Sequence, residues 1–146
     1  MSQTNELEIM ERIALDLEGV EESLASSFNT GAEDFNALIR PLSAAGGKRL
    51  RAQLCLLIAN AGTSVERQRI RIAEAVEMLH LATLIHDDVL DQAEIRRGEE
   101  TIHMHKGNKV AILSGDYLFA KAFQIVSEMP NMKYLQIFSH IITCLV

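Results

Sequence analysis

Residues 77–98 read EMLHLATLIHDDVLDQAEIRRG, and the rest of the chain is best read outward from them. Apolar residues recur at helical spacing at Val65, Ile70, Ala73, Val76, Leu79, Leu81, Ile85 and Val89, which predicts one long helix running into this stretch. Thr63 and Glu66 have the spacing of a capping box, so the helix is expected to begin there. Its other end carries charge. Asp87 and Asp91 fall one turn apart, Asp88 sits beside them, and His80 lies about two turns earlier on nearly the same bearing.

Three carboxylates this close repel one another, and keeping them ionised on a mostly apolar helix costs free energy unless a cation neutralises them. Mg2+ suits such a set, because it takes oxygen ligands, keeps several waters, and is held by one or two carboxylates while bridging to substrate phosphates. Asp87, Asp88 and Asp91 are therefore candidate metal ligands. Arg96 and Arg97 follow closely, and guanidinium forks pair bidentately with phosphate oxygens. Carboxylates for metal and arginines for phosphate imply a diphosphate site. A solvated acidic helix end has the same local pattern, and His86 reads more simply as a satisfied core histidine.

Upstream, Gly46 and Gly47 break the helical pattern, and Lys48, Arg49 and Arg51 cluster at the start of the next helix. Glycines let backbone approach an anion, and the basic side chains neutralise it.

Five segments in this order resemble the trans-polyprenyl diphosphate synthases: GGKRLR at 46–51, the run E-x-x-H-x-A-x-L-x-H-D-D at 77–88, DDVLD at 87–91, RRG at 96–98 and SGDYL at 114–118. The resemblance extends from about Phe35 onward. It is nearest to medium- and long-chain bacterial enzymes such as the catalytic component of heptaprenyl diphosphate synthase. It implies an all-α antiparallel helical bundle, the N-terminal half of the isoprenoid-synthase fold. The activity implied is Mg2+-dependent condensation of isopentenyl diphosphate with an allylic diphosphate, giving a long all-trans polyprenyl diphosphate of the kind used for quinone side chains. By the same resemblance Lys48, Arg51, His80 and Arg97 bind isopentenyl diphosphate, and Arg96 contacts the allylic diphosphate. Asp87, Asp88 and Asp91 hold magnesium. Ala82 and Thr83, the fifth and fourth residues before Asp87, stand where short-product enzymes carry an aromatic plug, so a product beyond twenty carbons is expected. One departure is Ala52, where the family usually has proline; proline near a helix start is favourable but dispensable.

In the family a second aspartate-rich motif faces the first, and nothing after Asp116 can serve in that role. The final ITCLV also lacks the glycine or basic last turn of an ordinary helix end. The chain is accordingly expected to be an N-terminal half, one helical domain over 1–146, working as a homodimer or with another synthase subunit or the missing half. Two alternatives are a non-catalytic subunit that binds and regulates a partner synthase, and an unrelated helical module whose acidic cluster only chelates metal.

Composition agrees with a helical domain. Of 146 residues 48% are hydrophobic, ample for a core, while two prolines, eight glycines and no tryptophan favour helices over sheets. A net charge of −6 argues against general nucleic-acid binding. Cys55 and Cys144 fall in apolar helical contexts and read as reduced core residues of a cytoplasmic protein. The opening residues are polar and acidic, unlike a secretory signal, and no apolar run approaches the roughly 20 residues of a transmembrane segment.

The remaining helices follow from periodicity. Residues 5–27 place Leu7, Met10, Ile13, Leu17, Val20 and Leu24 on one face. A second helix from about Ala32 turns Phe35, Leu38, Ile39 and Leu42 inward, with Pro41 expected to kink or tighten it. The third contains Leu50, Leu54, Leu57 and Ile58. Residues 99–107 read as a loop or short helical turn, with His103 and His105 solvated rather than zinc-binding. Residues 108–128 return to helix, burying Val110, Leu113, Leu118, Ala122 and Ile125, and Gly115 is expected to let a neighbouring helix come close. Pro130 opens a last helix with Leu135, Phe138, Ile141, Ile142 and Leu145 apolar.

Overall fold

The computed structural model describes residues 3–29, 33–44, 47–62 and 65–145. Seven helices account for nearly all of them: α1 (Gln3–Ser27), α2 (Glu33–Ala44), α3 (Leu50–Asn60), α4 (Glu66–Leu90), α5 (Ile102–Lys106), α6 (Asn108–Ser127) and α7 (Met132–Leu145). The long helix expected from the sequence is α4, and the bundle is built around it. It packs most extensively against α6, then against α3 and α1. Ala73, Ala75, Met78, Leu79, Leu81, Ala82 and Ile85 are all buried, so α4 is apolar on more than one face, as a central helix must be. α4 starts at Glu66 with Val65 at its N-cap and no side-chain cap bond, not with the expected capping box of Thr63 and Glu66, and Thr63 itself, like Gly46 of the basic segment, lies outside the described residues.

Which apolar residues go inward differs from the periodic reading on α1 and α6, and on α3 the structure alone decides it. On α3, Leu50, Leu54, Leu57 and Ile58 are all exposed, while Ala52 and Leu56 face the core. On α6, Leu118, Ala122 and Ile125 are buried as expected, but Leu113 is exposed and Ala111, Ser114, Gly115 and Val126 complete the buried face. On both helices small side chains share the buried face with a few large ones, Ala52 beside Leu56 on α3 and Ala111, Ser114, Gly115 and Ala122 beside Leu118 on α6. On α1, Ile13, Val20 and Leu24 are buried as expected, but Leu7 and Met10 are exposed on the early turns. α7 begins at Met132, after Pro130, and buries Phe138 edge-on against Phe123, while Ile141 points outward. Cys55 is partly buried but Cys144 is exposed, so the second thiol is not a core residue.

Charged side chains also fasten α4 to its neighbours from inside. Arg69 donates two hydrogen bonds of 2.9 Å to Asp16, and Asn60 adds a third to the same carboxylate, tying α1, α3 and α4 together. Glu74, fully buried, accepts from Ser23 and Ser27 of α1 and from Arg71. Breaking such a pair by removing one partner strands a buried charge, at about 3–5 kcal/mol.

Between α4 and α5 the chain makes a two-stranded antiparallel hairpin, β1 (Ile95–Arg96) and β2 (Glu99–Glu100), the one sheet among the described residues. Arg97 and Gly98 form its two-residue turn with φ of 53° and 88°. Positive φ at both central positions is the turn whose twist matches paired strands. Gly98 adopts it without strain, and Arg97 is held there by the ladder on either side. The carbonyl of Ala93 accepts from both the Thr101 hydroxyl (2.7 Å) and the His103 Nε2 (2.8 Å), so His103 anchors the hairpin rather than being solvated. α6 is long and apolar enough to cross a membrane by length and composition, but it lies packed along α4.

Candidate functional site

The C-terminal half of α4 sorts its chemistry by bearing. At about 100° per residue, His80, Thr83, Asp87 and Asp91 share one face, and Asp88 is turned about 100° from Asp87. Asp87 and Asp91 are exposed and make no ion pair with a described residue. Asp88 is 5% exposed and accepts a 2.5 Å hydrogen bond from Nε of Arg96 on β1. The three aspartates therefore divide into an open pair and a carboxylate committed to an arginine. Among the described residues no three His, Cys, Asp or Glu side chains converge as a metal set. An open pair one turn apart still fits Mg2+, which takes one or two carboxylates and completes its shell with water and substrate oxygens.

The basic side is assembled from three segments. The hairpin turn swings Arg97 back over the start of the basic segment: its guanidinium nitrogens lie 3.4 and 3.6 Å from where a Cβ on Gly47 would stand. Lys48 and Arg51 are exposed at the entrance to α3, and the side chain of Gln53 donates a 2.6 Å bond to the Lys48 carbonyl. His80 is the common neighbour. Its imidazole is held below its ordinary pKa first by partial burial, then by the positive fields of Arg51, Arg97 and Arg96, against a raising influence from Glu77. Of the four residues expected to bind one diphosphate, Arg51, Arg97 and His80 thus stand together and Lys48 follows the Gly47 that Arg97 covers; Lys48, Arg51 and Arg97 have no ion pair with a described carboxylate.

Arg49 does not belong to that cluster. It adopts a left-handed conformation (φ 45°, ψ 38°) just before α3, and its side chain is 7% exposed. Its guanidinium points inward, bonding Glu21 at 2.6 and 3.1 Å and facing Glu77 at 3.6 Å. The bond to Glu21 raises its pKa further, against the opposing effect of burial. Neutralising buried Glu77 outweighs solvation at the surface. Sequence reasoning quotes Glu77 as the first residue of a motif but gives it no role, although a glutamate on the core side of a helix rich in apolar residues is a signal that it has a partner.

Ala82 is fully buried and Thr83 half-buried. Only Thr83 shares the bearing of Asp87. A cavity of about 870 Å3 opens on the Asp88 side of α4, with Leu38, Leu81, Leu84 and Ile85 along its wall and Asp88, Arg96 and Arg97 among its polar lining; neither Ala82 nor Thr83 lines it. On the far side of α4, His86 stacks on Phe119, places Nε2 3.1 Å from the Ile112 carbonyl and 3.4 Å from Asp116, and occupies the space a Cβ on Gly115 would need. Both histidine and glycine are packing residues, and Asp116 is exposed rather than buried. His105 is exposed at the cavity edge.

The fold and site define a class: an all-helical bundle that presents an open carboxylate pair and a clustered basic site along one central helix. Residues 32–146 match the family model described as polyprenyl synthetase, and the chain belongs to that family. It is 34% identical over 131 residues to octaprenyl diphosphate synthase of Escherichia coli K12, covering 90% of this chain and 41% of that one. It is 34% identical over 140 residues to the chloroplastic solanesyl diphosphate synthase 1 of Arabidopsis thaliana, covering 92% of this chain and 34% of the relative. The crystal structure of a polyprenyl synthase from Caulobacter crescentus CB15, complexed with calcium and isoprenyl diphosphate, superposes with a TM-score of 0.83 at 36% identity over 89% of this chain and 41% of that one. The chain thus spans about a third to two fifths of the length of these relatives.

Proposed function

We propose that this chain supplies the isopentenyl-binding and first aspartate-rich part of a prenyltransferase that extends an allylic diphosphate to a long all-trans polyprenyl diphosphate. The observation that carries this reading is that His80 sits in the fields of Arg51 and Arg97, with Arg97 packed over Gly47 next to exposed Lys48, about 10 Å along α4 from Asp87 and about 16 Å from Asp91. Two diphosphates held at the two ends of that face put one substrate's double bond against the other's reactive carbon.

Each group then has a task. Lys48, Arg51, His80 and Arg97 hold the isopentenyl diphosphate. Arg96, aimed by Asp88, meets the allylic diphosphate and stabilises charge as that group departs. Asp87 and Asp91 would hold Mg2+, which when bound supplies further positive charge at the same leaving group. Orientation of the nucleophilic double bond is what the basic cluster contributes to rate.

Small residues at Ala82 and Thr83 in place of an aromatic plug fit a long product, and long-chain relatives support that reading. Full burial of Ala82 means that Ala82→Phe also strains the core, so Thr83→Phe is the cleaner test. The exposed stripe Leu50, Leu54, Leu57 and Ile58 on α3 supports association with another chain or with further sequence. We place the protein in the cytoplasm, where its free thiols stay reduced.

The test is isopentenyl incorporation with Mg2+ and farnesyl diphosphate, by this chain alone and joined to the C-terminal remainder of a relative. Elongation abolished by Asp87→Ala and shortened by Thr83→Phe is the expected result. Elongation indifferent to Asp87→Ala refutes the assignment.

A further inference from the structure

The basic segment and α4 are joined by one side chain to which the proposed reaction gives no role. Glu77 lies one turn before His80 and is 4% exposed. Its Oε1 accepts a 3.0 Å hydrogen bond from the backbone N–H of Ala52, and its Oε2 faces Nη1 of Arg49 at 3.6 Å. Ala52 is the third residue of α3, one of the first-turn donors that no carbonyl of its own helix can satisfy. No side chain at the N-cap position of α3 performs that task. A carboxylate from α4 therefore caps α3 from outside, favourably placed against its macrodipole.

We propose that Glu77 is a positioning residue for the diphosphate cradle, setting Lys48 and Arg51 at the register of His80 by capping the first turn of α3 and locking Arg49. The geometry is economical. Lys48 immediately precedes Arg49, and Arg51 immediately precedes Ala52, so each exposed cation is one residue from an atom that Glu77 holds. Arg49 completes the lock, because its other face is bonded bidentately to Glu21 of α1. The cradle thereby inherits the rigidity of three packed helices, which a segment opening on glycine lacks by itself.

This inference rests on the cradle binding a diphosphate, and a sign separates it from its rivals. Glu77 carries negative charge close to an anion site, so a purely electrostatic view predicts tighter anion binding when that charge is removed. A role confined to stability predicts no change in the folded protein. Positioning predicts weaker binding. The experiment is isothermal titration of the full chain with inorganic diphosphate, for the native protein, Glu77→Gln, Arg49→Lys and Lys48→Ala. The expected result is a loss of roughly tenfold in affinity for Glu77→Gln, the scale seen when support behind a ligand-binding group is removed. A smaller loss is expected for Arg49→Lys, which keeps the charge but not the fork. In parallel the Ala52 amide should lose hydrogen-exchange protection in Glu77→Gln.

Unchanged or tighter diphosphate binding by folded Glu77→Gln overturns the proposal. Should that variant not fold, Arg49→Lys decides, since unchanged affinity there overturns it equally. Absence of binding by the native chain, or binding indifferent to Lys48→Ala, would instead overturn the cradle itself.

Discussion

Replacing Gly115 by alanine should destabilise the protein, and the effect should reverse sign when His86 is also removed. A Cβ at position 115 would stand 2.2 Å from Nε2 and 2.5 Å from Cδ2 of His86, so the imidazole has to move by more than about 1 Å to reach ordinary contact. Moving it breaks the 3.1 Å contact with the Ile112 carbonyl and the stacking on Phe119. Overpacking of this kind costs about 1–3 kcal/mol and the lost hydrogen bond about 1 kcal/mol. Alanine returns about 1 kcal/mol through helix propensity. The net is about 2 kcal/mol of destabilisation, or roughly 5–8 °C in Tm for a chain of this size. In a His86→Ala background the obstacle is gone, and Gly115→Ala should stabilise by about 1 kcal/mol. Urea unfolding followed by helical circular dichroism measures all four corners of the cycle. Equal destabilisation by Gly115→Ala in both backgrounds would show that His86 is not what fills the space between α4 and α6 at Gly115.

Other expectations follow from the same structure. Asp16→Ala should cost about 3–5 kcal/mol by stranding Arg69, whereas Asp16→Leu with Arg69→Met should recover most of it, as chemical denaturation will show. The folded state holds His80 below its ordinary pKa near 6.5, so between the two values the unfolded chain binds more protons. The stability contributed by neutral His80 is therefore present above pH 6.5 and lost as pH falls through the folded value. Inorganic diphosphate should raise that pKa by screening the arginines, and NMR titration of the His80 ring reads both. Asp87→Asn should raise the Mg2+ requirement of diphosphate binding about tenfold, while Asp88→Asn acts through Arg96 and changes it less; equal effects would show that the division of the aspartates is wrong. With Ellman's reagent Cys144 should react first, since burial pushes the Cys55 thiol up and shields it; two equal rates would contradict the packing of α3.

Much of the site was legible because its chemistry is written at fixed helical spacings. Asp87 and Asp91 at i and i+4, with His80 seven residues before Asp87, land on one face of any α-helix whatever surrounds it. The hairpin at Arg97 and Gly98 was not legible, because an Arg-Gly turn lacks the Asn-Gly or Asp-Gly signature that marks this turn type. Nor was the inward turn of Arg49. A run of basic residues reads as one patch, and a left-handed backbone at Arg49 accompanies the turn of its guanidinium away from the exposed side chains of Lys48 and Arg51. Hydrophobic periodicity likewise misjudged Leu113 on α6, which is exposed, and left undecided that Ala52 and Leu56, not Leu50, Leu54, Leu57 and Ile58, face the core on α3.

The sequence by itself determined the helical class, the position of the central helix and the residue types of the site, because periodicity and spacing act within one helix and need no partner. Tertiary structure decided which of those residues meet. Gly47, His80 and Arg97 come from three separate elements, and Glu77 finds Ala52 and Arg49 only once α3 lies against α4. Contacts between elements depend on helix approach and turn conformation, which one-dimensional spacing does not contain.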